Sequence, residues 1–231
     1  MNHVMSEPVL DHGIIELQSV MGSDLDAVNA AKVSFASYES EMSENAKGLI
    51  NYLIKNRHAT PFEHIVFKFY VKAPIFVARE WFRHRWSSFN EMSMRYHTPK
   101  KLDFYVPERD AIRTQTGKPG AYTFETISND DIAQETVDLL DQIYKIAEEN
   151  YQEMLRLGIA KEIARCVLPV GMYTEFIWTV NARSLMNFLS LRNEEHAQYE
   201  IAEYAKLAEY MFSKATPVIY ASWVENGRNS I

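Results

Sequence analysis

The run Ile65–Val71 sets Ile65, Phe67, Phe69 and Val71 against Val66, Lys68 and Tyr70, with Lys72 continuing the polar side. Alternation with a period of two and one strongly apolar side is the pattern of a strand with one face buried. Met172–Val180, carrying Tyr173, Phe176, Ile177, Trp178 and Val180, reads as a second strong strand, and Gly13–Val20 alternates enough to be a first one. Most other stretches are helical in period. Asp24–Phe35 has Leu25, Val28, Ala31 and Phe35 at helical spacing, and Ser43–Lys55 repeats it with Ser43 placed as N-cap. Pro74 opens a helix predicted to run to about Arg85. Ser128–Leu157 is a long helix with one broad apolar stripe, a Ser128–Asp131 box at its start and Gly158 at its end. Lys161–Val167, Asn181–Leu191 and Gln198–Lys214 complete the helices, and Leu102–Val106 reads as a short strand. Met1–His12 is expected to be a flexible leader, and Pro107–Gly120, with Gly117, Pro119 and Gly120, an exposed loop. With neither repeats nor a linker, the simplest organisation is one α+β domain over residues 1–231.

Composition narrows the function. A net charge of −7 argues against bulk nucleic-acid binding and against an anionic membrane surface, since both want a basic face. The single cysteine, Cys166, excludes an internal disulfide and zinc sites built on several cysteines. Its context, Ala164–Pro169, reads as a packed helix end, where a small buried thiol is the common outcome. No metal site is expected. The N-terminal stretch lacks a basic region followed by an apolar core, and no apolar run approaches the ~20 residues of a membrane span. A cytoplasmic location is the expectation.

Against that acidic background stands Arg83–Tyr96, which gathers Arg83, His84, Arg85 and Arg95 around Ser88, Asn90, Glu91 and Ser93, interleaved with Trp86, Phe89 and Tyr96. Neither strand nor helix period runs through Ser87–Arg95, so the stretch reads as a helix end entering a donor-rich loop. Guanidinium forks match phosphate oxygens, and Ser, Asn and Glu can read the edge of a heterocycle. The segment Arg83-His84-Arg85-Trp86-Ser87-Ser88-Phe89-Asn90-Glu91-Met92-Ser93-Met94-Arg95 resembles the R-H-R-x-x-S-x-N-E-x-S-x-R signature of the flavin-dependent thymidylate synthases, with every fixed position filled. His58–His64 and Asn181–Leu189 resemble the same family, so the likeness covers roughly Gly13 to Trp223.

The resemblance implies an α+β domain with a mixed, largely antiparallel sheet flanked by long helices, assembled as a homotetramer whose active sites draw on several subunits. It implies reductive methylation of dUMP to dTMP, with 5,10-methylenetetrahydrofolate as carbon donor, FAD as hydride carrier and NADPH as reductant, and no cysteine nucleophile. Thr60, Arg83, His84, Arg85, Glu91, Asn181, Arg183 and Asn187 are implied at the flavin. Glu80, Arg83, Glu91, Met92, Ser93, Met94, Arg95, Arg165 and Arg192 are implied at the nucleotide. The resemblance implies Arg192 as the catalytic residue, lying by the uracil ring and favouring loss of the N3 proton. Glu80 departs from the family, which has glutamine there, and a carboxylate beside a phosphate needs pairing with Arg79 or Arg83. Met94 is bulkier than the small residue sometimes found at its place. Read without the family, several of these residues have plainer roles. Thr60-Pro61-x-Glu63 has the form of a capping box before a strand. Asn181, Arg183 and Asn187 fit a solvated helix face equally well, and Arg165 a surface position. Glu91 suits a salt bridge to a neighbouring arginine, and Arg192 an ion pair with Glu194 or Glu195. A uracil carried by RNA, or a nucleotide-binding protein without catalysis, are the rival readings of the arginine loop.

Overall fold

A computed structural model of the chain describes residues 5–99, 101–119, 121–194 and 196–231. In chain order the strands are β1 (Met5–Val9), β2 (Gly13–Met21), β3 (Val66–Pro74), β4 (Ser87–Glu91), β5 (Arg113–Lys118), β6 (Ala121–Thr126) and β7 (Tyr173–Asn181). The helices are α1 (Asp24–Lys32), α2 (Glu44–Lys55), α3 (Ile75–Trp81), α4 (Asp130–Arg156), α5 (Lys161–Ala164), α6 (Ala182–Arg192), α7 (Tyr199–Ala215) and α8 (Pro217–Glu225). The two strongest strands in the sequence lie side by side: β3 pairs with β7 in unbroken register from Val66–Asn181 to Pro74–Tyr173. They sit inside a five-stranded sheet of order β1-β2-β3-β7-β4. Every pair in it is antiparallel, so the expected mixture is absent from the described residues.

Alternation does what the sequence asks. Phe67, Phe69 and Val71 of β3 and Phe176, Trp178 and Val180 of β7 turn to one face and are buried. They share a core with side chains of α1, α2, α3, α6, α7 and α8. Its aromatic centre is Trp81, stacked on Phe188 at 4.9 Å and edge-on to Trp178 at 5.1 Å. Burying each such ring contributes roughly 1.5–3 kcal/mol. A second, smaller cluster joins Tyr144 and Tyr151 of α4 to Ala164, Met94, Leu102, Phe104 and Met172.

Several expectations are corrected. The supposed leader supplies β1, paired with β2 from Met5–Leu17 to Val9–Gly13; residues 1–4 lie outside the described ones. Its five residues are too few to show a period. Instead, Asp11 in the following turn anchors it, accepting from Tyr173 hydroxyl at 2.5 Å and Val106 N at 2.9 Å. The predicted loop at 107–120 is a 3-10 turn at Arg109–Ala111 followed by β5, which pairs with β6 in an exposed two-stranded ribbon; Gly120 is outside the described residues. Leu102–Val106 makes an isolated bridge, Phe104–Met172, and not a strand. The helix after Pro74 stops at Trp81, so the arginine cluster lies in a turn, and Ser87–Glu91 forms the edge strand β4 in place of a loop.

Helix starts follow side-chain chemistry. Ser43 caps α2 as expected, accepting from Ala46 N at 3.1 Å. At α4 the cap is Asn129, not Ser128, accepting from Asp131 N at 2.9 Å. Thr60 starts a 3-10 turn (Thr60–His64) without making the capping box. The stripe of α4 proves to be two faces: Ala133, Tyr144, Ala147 and Tyr151 are buried, whereas Ile132, Leu139, Ile143 and Ile146 are exposed. Cys166, expected buried, is exposed, in a 3-10 turn at Arg165–Val167 that buries none of its residues. Helix α8 had no counterpart in the sequence reading.

Candidate active site

A cavity of about 530 Å³ opens between the turn after α3 and the outer face of α6. Arg83, His84, Arg85, Trp86 and Ser87 form one wall, and Asn181, Arg183, Ser184, Asn187, Leu191 and Arg192 the other. Residues four apart on a helix share a face, which is why Arg183, Asn187 and Leu191 arrive together. The turn is fixed by Ser87 Oγ, which donates to the His84 carbonyl at 2.6 Å. Asn181 caps α6 through its side-chain oxygen, accepting from Ser184 N at 2.8 Å. Glu63 is the one acidic side chain among the described lining residues, and Arg183 Nη1 donates to it at 2.5 Å. Ser230 and Ile231 line the cavity too: Ser230 Oγ donates to Asn187 Oδ1 at 2.8 Å, and Arg183 Nε to the Ile231 carbonyl at 3.3 Å.

At the inner end, Arg192 Nε donates to His84 Nε2 at 2.9 Å, and Arg192 Nη1 pairs with Glu80. Burial, and then the adjacent guanidinium, lower the His84 pKa to about 4. The ring is therefore neutral at neutral pH, as an acceptor from arginine must be. It packs on the Phe188 ring at 4.9 Å.

A second cavity, about 440 Å³, is lined by Glu91, Met92, Ser93, Met94, Arg95 and Arg165, with Ile75, Leu168, Met172 and Thr174 behind them. Arg95 Nε donates to Ser93 Oγ at 3.4 Å, and its guanidinium lies 5.0 Å from the centre of the Tyr96 ring. The buried Thr174 hydroxyl donates to Glu91 at 2.8 Å. Among the described residues, that contact replaces the arginine bridge that Glu91 alone suggested.

The two cavities lie at opposite ends of β4. Ser87, paired with Val180, touches the first; Glu91, paired with Phe176, touches the second, about 13 Å away at the rise of a strand. Arg83, His84, Arg85, Asn181, Arg183, Asn187 and Arg192 are thus brought together, and so are Glu91–Arg95 with Arg165. Some expected groupings are divided. Glu91, also assigned to the flavin, lines only the second cavity. Arg83 and Arg192, also assigned to the nucleotide, line only the first. Glu80 and Thr60 line neither, although Glu63 of the same turn as Thr60 does. Glu80 pairs with Arg192 and with neither Arg79 nor Arg83; Arg192 thereby finds its carboxylate far from Glu194 in sequence, and Glu195 is outside the described residues. Trp178, Ser184, Thr174 and the Ser230–Ile231 segment were not anticipated. Thr174 and Trp178 are inward positions of a strand, and nothing in the local sequence distinguishes Ser230.

The comparisons with known proteins agree with one another. Residues 16–218 match the family model described as Thymidylate synthase complementing protein. The flavin-dependent thymidylate synthase of Thermotoga neapolitana is 45% identical over 221 residues, covering 96% of this chain and 95% of that protein. This chain belongs to the flavin-dependent thymidylate synthase family. The synthase of Thermus thermophilus is 41% identical over 222 residues, 95% of this chain and 78% of that protein. Among solved structures, the UMP/dUMP methylase PolB from Streptomyces cacaoi bound with 5-Br dUMP superposes with a TM-score of 0.86 at 40% identity, covering 97% of this chain and 100% of that one. Its complex with 5-Br UMP gives a TM-score of 0.85 at 39% identity, covering 96% and 98%.

The first cavity fits the flavin that the synthase family requires. Arg83, Arg85 and Arg183 offer guanidinium donors for a diphosphate, and Val180 and Leu191 an apolar wall for a ring. Trp178, also in the lining, has a buried indole N–H with no partner among the described residues.

Proposed function

We propose that the two cavities are complementary halves of one active site, supplied by different subunits of a homotetramer. Family membership makes the chain an FAD-dependent thymidylate synthase, methylating dUMP to dTMP without a cysteine nucleophile; Cys166 lines neither cavity. In our reading the carbon comes from 5,10-methylenetetrahydrofolate and the reducing equivalents from NADPH. The whole chain is one domain acting in the cytoplasm, and among the described residues no helix is long and apolar enough to cross a membrane.

Arg83, His84, Arg85, Asn181, Arg183 and Asn187 hold the FAD, whose bound ring supplies the hydride. Ser93, Arg95 and Arg165 take the dUMP phosphate with a hydroxyl and two guanidinium groups. Glu91, kept in place by Thr174, accepts from a sugar hydroxyl. Arg192 meets the uracil ring, where a fixed cation stabilises the negative charge left when the N3 proton departs and so raises electron density at C5. Arg83 flanks the nucleotide from the same side.

The observation that carries this reading is the division along β4. One chain holds its phosphate cradle and its uracil-facing arginine at opposite strand ends, so a single small nucleotide meets both only when a second chain completes the site. Co-expressing Arg192→Ala and Arg95→Ala subunits tests it. Each parent should lose most of its activity at low dUMP, and the mixed oligomers should regain roughly a quarter of the sites by random pairing. Mixed oligomers as inactive as their parents would place each site within one chain.

A further inference from the structure

Arg192 does not approach its cavity as a free cation. Two groups hold it from across the inner end of the cavity: Glu80 in the last turn of α3 through Nη1, and the neutral His84 imidazole through Nε at 2.9 Å. Because the guanidinium is planar, fixing Nε and Nη1 fixes the direction of Nη2 as well. Arg192 lines the cavity and Glu80 does not. The Glu80 side chain is 23% exposed, and its Oε2 is buried without a partner among the described residues. A carboxylate so enclosed cannot reach a nucleotide without abandoning the guanidinium. Leaving that partner would strand two charges in a poorly solvated place.

We infer that Glu80 is a positioning residue: through its carboxylate, and with His84 as second support, it sets the orientation of the Arg192 guanidinium and tempers its charge. This rests on the reading that Arg192 acts on the uracil ring. An oriented cation stabilises charge as it develops without reorganising at that moment, whereas a swinging one does not. The charge of Glu80 has the opposite sign to the guanidinium. It therefore weakens the field that favours an ionised N3, so the pair trades field strength for geometry.

The test uses the full-length, FAD-loaded enzyme and the variants Glu80→Ala, Glu80→Gln, Arg192→Ala and the Glu80→Ala/Arg192→Ala double change. For each, kcat, the dUMP KM, the FAD dissociation constant and the pH profile of kcat are measured. Glu80→Ala should lower kcat by about tenfold or more, with the dUMP KM and FAD affinity within about twofold. Glu80→Gln keeps the acceptor at Oε1. It should restore kcat to within about threefold and move the acid limb of its profile to lower pH, the charge being gone. In the Arg192→Ala background, Glu80→Ala should cost less than about a further twofold, because both act through one group. A Glu80→Ala enzyme whose dUMP KM rises as steeply as its kcat falls would make Glu80 a direct nucleotide ligand and overturn the inference. Additive losses in the double variant would overturn it in favour of a role in the fold. A silent Glu80→Ala beside an inactive Arg192→Ala removes Glu80 alone, whereas an active Arg192→Ala removes the role of Arg192 and the inference with it. Should Glu80→Ala fail to fold, an unshifted acid limb in Glu80→Gln still counts against it.

Discussion

His84 is held neutral between the ring of Phe188 and the Nε–H of Arg192, and this gives the fold a pH dependence. Unfolded, the ring titrates near 6.5; folded, near 4. Between these values the unfolded chain binds more protons, so the contribution is full above 6.5 and is lost as pH falls toward 4. The ring is only partly buried, so solvent screening leaves on the order of 1 kcal/mol of it. Urea midpoints taken from pH 7 to pH 4.5 should fall less steeply in His84→Asn than in the wild type; parallel slopes would show that His84 is not the group responsible. At the same scale, Arg95 stacks on Tyr96 beside Ser93, and Arg95→Ala should weaken dUMP binding by about tenfold or more through the loss of a charge-assisted phosphate contact. Titration calorimetry with dUMP reads this directly, and an unaltered dissociation constant would remove Arg95 from the phosphate.

Among the elements, α2 and α4 carry distinct predictions. Ser43 satisfies one of the free amides at the start of α2, so Ser43→Ala should cost about 1 kcal/mol, visible as a lower urea midpoint with an unchanged slope. Helix α4 is apolar on two faces. The first buries Tyr144 and Tyr151 in the second cluster. The other presents Ile132, Leu139, Ile143 and Ile146 at 43–59% exposure, spaced by seven, four and three residues, as in the seam of a helix pair. In the proposed oligomer this exposed apolar stripe is a subunit contact. Leu139→Lys with Ile143→Lys should leave the helical circular dichroism intact while lowering the mass found by light scattering. Retention of the wild-type mass would take this stripe out of the interface.

For the whole molecule, the arrangement of strands decides what one chain can and cannot do. Strand β4 carries the end of the arginine turn on one end and the start of the Glu91–Arg95 cavity wall on the other. A helix continuing to Arg85, as the local sequence suggests, would have bunched these side chains on neighbouring turns. The short helix and the edge strand spread them, and under the proposed shared site a second chain is needed to bring them to one nucleotide. Activity per subunit should accordingly fall on dilution below the dissociation constant of the oligomer, and recover when the enzyme is concentrated; specific activity independent of concentration down to a demonstrated monomer would oppose the shared site.

The sequence by itself determined the local and the chemical. Alternation in β3 and β7 fixed the buried face of the sheet, since period-two burial follows from backbone geometry alone. The eight fixed residues of the arginine motif carried the family, and the family carried the reaction. Side-chain caps were legible where one residue dominates, as at Ser43, and ambiguous where two neighbours compete, as at Ser128 and Asn129. Tertiary structure decided the rest. It turned Met5–Val9 into a strand, because Asp11 meets Val106 and Tyr173, which lie far along the chain. It gave Arg192 a carboxylate from α3 instead of one from its own vicinity, and it split the expected ligand set between two cavities. Those outcomes depend on which distant segments meet, and pairing across a hundred residues leaves no period in the local sequence to be read.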